Sequence, residues 1–149
     1  MTHDERMGVY QRYRGNNPQE LADLLEVPVL ETSLPDGLFG MQLKLLGQDF
    51  ICLSPGLSDE DRRATLAHEL GHLLLHDDQN TLFLASSTYL NVGKLEEEAD
   101  RFAAKLLLPD SCFSELENDT LEHLSQRTGV PLRLVQLRWQ MWQEEQKYR

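Results

Sequence analysis

Two helix-forming segments between Ser58 and Pro109 are rich in metal-ligating side chains, and they limit the fold more than any other part of the chain. Ser58 is a good N-cap, because its hydroxyl accepts from the orphan N–H groups of a helix start. Asp59, Glu60 and Asp61 suit the positive end of the helix dipole. Leu66, Leu70, Leu73 and Leu74 then recur on one face, so a helix is predicted from there to His76. Inside it stands His68-Glu69-Leu70-Gly71-His72, the pattern H-E-x-x-H. Residues four apart lie about 40° apart around a helix and one turn along it. Both imidazoles can therefore reach one metal ion. Glu69, about 100° from His68, can face a water on that metal without taking a coordination position.

Catalytic zinc takes three protein ligands and keeps a position open for water. A third histidine six residues past His72 would mark the metzincin-like arrangement, but that position is Asp78, and position 75, where that pattern has glycine, is Leu. The other solution is a carboxylate on a later helix. A helix is predicted over 94–108, stopping before Pro109, and Glu96-Glu97-Glu98-Ala99-Asp100 lies at its start. Successive residues point about 100° apart, so one glutamate of the run faces the metal well. Glu96 shares a face with Ala99, Asp100 and Ala103, small enough to lie close against the first helix. Glu96 is therefore the expected ligand, with Glu98 in reserve and Glu97 solvated. A plain acidic helix start accounts for the other two glutamates. Asp100, one turn on, is placed to accept a hydrogen bond from a ligand histidine's second nitrogen and fix its tautomer. His76 lies about 80° from His68 around the helix and is expected to support the helix C-terminus or the site rim. Tyr89 stands where it can reach an oxyanion from the polar loop at 77–93, although a packed or surface tyrosine is the simpler role. His3 and His123 belong to neither of these two segments.

The rest of the chain supplies a scaffold. Residues 1–16 read as a flexible lead-in or a frayed first helix, and 17–149 as one domain, long enough to bury a single core. Pro18 opens a short helix after Asn17, with Leu21, Leu24 and Leu25 as its stripe. Residues 27–32 read as a strand. Alternation over 39–46, a turn at 47–49 and a strand at 50–53 read as a hairpin. An apolar piece at 82–85 and a turn at 91–93 interrupt the segment between the two metal-ligating helices. Helices are expected at 119–127 and 131–146, within a C-terminal helical section of about 111–149. The fold class expected is α+β: a small antiparallel sheet packed against the two site helices, with C-terminal helices beyond.

The strings RRATLAHELGHLLLH (62–76) and EEEADRFAAKLLLP (96–109) resemble the ImmA/IrrE family of metallopeptidases. The family pattern joins an A-H-E-x-G-H helix to E-x-x-A-(N or D)-x-F-A-x-x-L-L-x-P, and the resemblance runs over about residues 15–135. It implies a zincin-like fold holding one Zn2+ per chain, with His68, His72 and Glu96 as ligands and Glu69 as general base. It favours Glu96 over Glu98, since the first glutamate of E-x-x-A-D is the matching one. Known members cut helix-turn-helix repressors, which implies an anti-repressor role in transcription regulation. The chain does not show the long C-terminal extension of some members, which favours the short form found in phages and other mobile elements.

Other classes are weighed against this reading. No run of 18 apolar residues is present and the N-terminus is polar, so a cytoplasmic protein with no membrane partner is expected. Cys52 and Cys112 have neither metal-ligand nor redox spacing and read as reduced thiols. Net charge is -11, which repels nucleic acid unless basic residues cluster. They do so weakly at 127–149, where five Lys/Arg face two acids. Residues 119–146, with Arg133 and Arg138 on the second helix, resemble a helix-turn-helix. Leu132, Leu134, Val135, Leu137, Trp139 and Trp142 instead suit simple packing on a core, and nucleic-acid binding is not the expected role. A module that grips a repressor without cutting it is the remaining alternative. In the cleaving reading, the strand at 50–53 offers an edge on which an extended substrate adds.

Overall fold

The computed structural model describes residues 1–76, 89–114, 116 and 119–148, apart from the side chains of 89–92. The apolar piece at 82–85 and Asp78 fall outside the described residues. Helix α1 (His3–Arg12) is followed by α2 (Pro18–Leu24), β1 (Val29–Glu31), β2 (Gly40–Leu45), β3 (Gln48–Leu53) and α3 (Asp59–Leu75). Then come α4 (Tyr89–Leu107), α5 (Ser111–Ser114), α6 (Leu121–Thr128) and α7 (Leu132–Gln146). The class is α+β, as expected.

The sheet is mixed rather than wholly antiparallel. Its order is β1-β3-β2, with β1 parallel and β2 antiparallel to β3. The strand at 50–53 is thus the centre of the sheet and not an edge. The reason lies in its side chains: Ile51, Cys52 and Leu53 form an unbroken apolar run, all buried, as suits a strand covered on both faces. The edges are β1 and β2. The hairpin turn sits at Leu46–Gly47, one residue earlier than 47–49, and both residues have positive φ, 52° and 77°. A two-residue hairpin with right-handed strand twist requires that conformation.

Residues 1–16 are not a loose lead-in. Thr2 caps α1 in a reciprocal capping box with Glu5. Arg6 of that helix is buried, pairs with Asp49 at 2.5 Å and donates from Nε to the carbonyl of Leu25 at 3.3 Å. A buried guanidinium needs such partners, and they tie α1 to both α2 and the hairpin.

Ser58 caps α3, accepting from Asp61 N–H at 3.1 Å. Leu66, Leu70, Leu73 and Leu74 bury together with Leu21 and Leu25 of α2 and Ile51 and Leu53 of β3. Helix α4 begins at Tyr89, not Lys94, so its path runs through the expected turn at 91–93. The C-terminal pair α6–α7 turns at Gly129, φ 71°, and packs on this core through Leu124, Leu134, Val135 and Met141. Arg138 is 1% exposed, donates from Nε to Leu108 O at 2.8 Å and pairs with Asp110. Buried in this way, it cannot serve as a contact to DNA.

Leu46 is fully exposed and left-handed, a conformation that costs a branched residue about 1–2 kcal/mol. Leu46→Asn is expected to stabilise the fold by about 1 kcal/mol, read as a higher denaturant midpoint with an unchanged slope.

Candidate metal centre

The site forms where α3 and α4 approach closely. A Cβ at Gly71 would stand 3.1 Å from the Cβ and Cδ1 of Phe102 and 3.2 Å from the Cα of Ala99. Glycine and alanine at this crossing let the backbones meet. The sheet closes in from the other side. A Cβ at Gly40 of β2 would stand 2.7 Å from Thr65 Cγ2 and 3.2 Å from Glu69 Cγ. Gln42, two residues on, donates to the backbone carbonyl of Glu69 at 3.1 Å. Edge strand β2 therefore runs directly beside the H-E-x-x-H segment.

Three side chains converge in this space. His68 Nε2 lies 3.1 Å from both His72 Nε2 and Glu96 Oε2, and His72 Nε2 lies 2.7 Å from Glu96 Oε1. The three donor atoms all fall within 4.8 Å of one another. Two imidazole nitrogens and a carboxylate are a donor set found in catalytic zinc sites. Tetrahedral zinc at about 2.1 Å from each donor would space them by roughly 3.4 Å. A shift of some tenths of an ångström in long side chains admits the ion, so the residues fit it.

Each histidine is held at its other nitrogen. His68 Nδ1 lies 2.8 Å from Oδ1 of Asp100, and the second oxygen of that carboxylate is 3.4 Å from Arg133 Nη1 on α7. His72 Nδ1 lies 2.9 Å from His76 Nδ1, and His76 Nε2 lies 2.8 Å from Glu98 Oε2. Glu98 thus engages His76 rather than the cluster of donor atoms. Glu97 points outward and pairs with Arg101 at 3.7 Å. Tyr89 opens α4, and its side chain is outside the described residues. His123 pairs with Asp119 at 2.5 Å, away from the centre. Arg133 and Gln42 are contributors that residue patterns did not bring out, and His76 and Glu98, expected at the rim and as a reserve ligand, pair with each other instead. The i+4 spacing of His76 from His72 was the signal for the first of that pair, and the glutamate run for the second.

The electrostatics suit the arrangement. Burial disfavours charge on His68, but hydrogen bonds to Asp100 and Glu96, with the charges of Glu96 and Glu69, outweigh it and push its pKa up to about 9. Hydrogen bonds from His68 and His72 hold the Glu96 carboxyl well below the usual range, against burial. Burial opposes ionisation of Asp100 too, yet the His68 contact and Arg133 keep it low. Glu69 moves the other way. It is 8% exposed, and burial raises its pKa despite the nearby histidines. A raised carboxyl suits proton transfer near neutral pH.

Comparison with known proteins identifies the family. Residues 22–140 match the peptidase family described as the IrrE N-terminal-like domain. The chain is 34% identical over 130 residues to the uncharacterized immunity region protein 2 of Bacillus phage phi105, covering 86% of this chain and 82% of that protein. It is 30% identical over 109 residues to metallopeptidase ImmA of Bacillus subtilis (strain 168), covering 72% and 63%. A transcriptional regulator of Mycobacterium tuberculosis shares the fold, with a TM-score of 0.59 at 22% identity, over 90% of this chain and 45% of that one. This chain therefore spans less than two thirds of ImmA and less than half of the regulator.

Two outcomes follow from the geometry. Gly71→Ala forces α3 and α4 apart; it is expected to cost about 1–3 kcal/mol and to weaken zinc binding, read by thermal midpoint and metal titration. A metal must also displace the proton that His68 holds up to about pH 9. Zinc association is expected to rise about tenfold per pH unit from neutrality and to level near that value; a flat profile in chelator competition contradicts it. The sign for the metal-free fold is opposite. A raised histidine stabilises below its ordinary value of 6.5, and the contribution is lost as pH climbs through about 9.

Proposed function

The chain belongs to the IrrE N-terminal-like family of peptidases, and from that membership we propose that it is a zinc-dependent endopeptidase that cuts a helix-turn-helix repressor in the cytoplasm. The convergence of His68, His72 and Glu96, with buried Glu69 beside them, carries this reading. Zinc, when bound, supplies a Lewis acid that polarises a peptide carbonyl and acidifies water. Glu69 takes a proton from the attacking water and hands it to the leaving amide nitrogen. Its burial keeps it a base of adequate strength while Gln42 fixes the backbone it stands on. The substrate adds as an extended strand along β2, the edge beside Glu69, rather than along β3. The repressor class follows from the sequence resemblance. The immunity-region name of the phage relative is in keeping with an anti-repressor role on a mobile element. Among the described residues, no helix is long and apolar enough to cross a membrane.

Coexpression with helix-turn-helix repressors encoded nearby, read by intact mass, tests the proposal. The wild type is expected to give two fragments that sum to the repressor plus one water. Glu69→Gln is expected to slow cleavage at least about 100-fold while keeping about one zinc per chain. A variant that cuts at the wild-type rate removes Glu69 from the mechanism. A variant that leaves the repressor whole yet relieves repression fully makes the protein a binder, not a peptidase.

A further inference from the structure

The two ligand histidines are braced differently. His68 meets a carboxylate directly, through Asp100. His72 meets a second imidazole, His76, which in turn meets a carboxylate, Glu98. His72 is 2% exposed and His76 4%, so water does not substitute freely for either partner.

With a metal bound at His72 Nε2, the proton count along this chain has one consistent solution. When His72 Nε2 gives its lone pair to a metal beside Glu96, its proton sits on Nδ1. That N–H can donate 2.9 Å away only if His76 Nδ1 offers a lone pair. His76 must then carry its proton on Nε2, which donates to Glu98 Oε2 at 2.8 Å. In that state every nitrogen has one role. The His76 backbone N–H donates to His72 O at 2.8 Å as the helix ends, which fixes the ring's origin. Helix α4 fixes the far end, because it carries Glu96 and Glu98 two residues apart on different faces.

We propose that His76 and Glu98 are positioning residues for the metal: Glu98 sets the tautomer of His76, which sets that of His72 and aims its Nε2 lone pair into the centre. This rests on the zinc reading above. It gives Glu98 a task other than ligation and His76 one beyond closing the helix. Partners of this kind commonly govern 10–100-fold of metal affinity.

Zinc affinity by chelator competition tests it, on the full chain, with the metal-free thermal midpoint as a check on folding. Glu98→Ala, at a half-exposed position, is expected to bind zinc about 10-fold more weakly at an unchanged midpoint. His76→Phe, which removes the acceptor, is expected to approach 100-fold. His76→Asn, which returns an oxygen near the Nδ1 position, is expected to recover part of that loss. Glu97→Ala, on the neighbouring surface pair, is expected to match the wild type. In ring 1H–15N spectra of the zinc-loaded wild type, His72 is expected to be protonated at Nδ1 and His76 at Nε2. Wild-type affinity in both Glu98→Ala and His76→Phe overturns the proposal, as does a proton on His76 Nδ1. A wild type that binds no zinc overturns it together with the function it rests on, and so separates the two failures.

Discussion

Everything in this molecule depends on how closely α3 can lie against α4. Helix axes normally stand 8–10 Å apart, the distance being set by the side chains between them. Here Gly71 places no side chain between them, and Ala99 offers little more, so Phe102 packs onto the bare backbone. That contact carries Glu96 to His68, one turn before Gly71, and to His72, the next residue. It also explains why a glycine stands at the fourth position of the H-E-x-x-H segment, between Leu70 on the core face and His72 on the face toward Glu96. The core of Leu21, Leu66, Leu70 and Leu108 backs this crossing from behind.

Around the crossing, charge is arranged in opposite senses over a few ångströms. Glu96 is held as an anion by two imidazoles, while Glu69 on the next residue after His68 is buried toward neutrality. Two carboxyls of equal intrinsic strength are thereby shifted in opposite directions, Glu96 down and Glu69 up. The separation needs no unusual residue. It follows from where each carboxyl meets the sheet, the partner helix and solvent.

Much of this was readable in residue order because it is local. Ser58 with its trailing acids marks the start of α3, and the 3.6-residue period of its leucines marks the buried face. The i+4 histidines and the small face of Glu96, Ala99 and Ala103 need only helix geometry. Features that depend on distant partners were not readable. Arg6 looks like one more charge in a polar N-terminus until Asp49 and Leu25 are brought to it. The parallel pairing of β1 with β3 skips over β2, and no local pattern announces it. Leu46 gives no turn signal, since an exposed leucine at positive φ runs against propensity. Asn91 and Gly93 do look like a turn, yet they lie inside α4.

The link from His68 through Asp100 to Arg133 has a consequence for how the protein is made. Its members are strung out along the chain, with His68 first, Asp100 later and Arg133 near the end. Translation exposes the two histidines before Glu96 has been added, so an ion met at the ribosome finds only half of a pocket. The carboxylates arrive with α4, and the guanidinium that braces one of them arrives only with α7. A polypeptide that stops before α7 therefore has the two histidines and Glu96 but lacks the guanidinium beside Asp100.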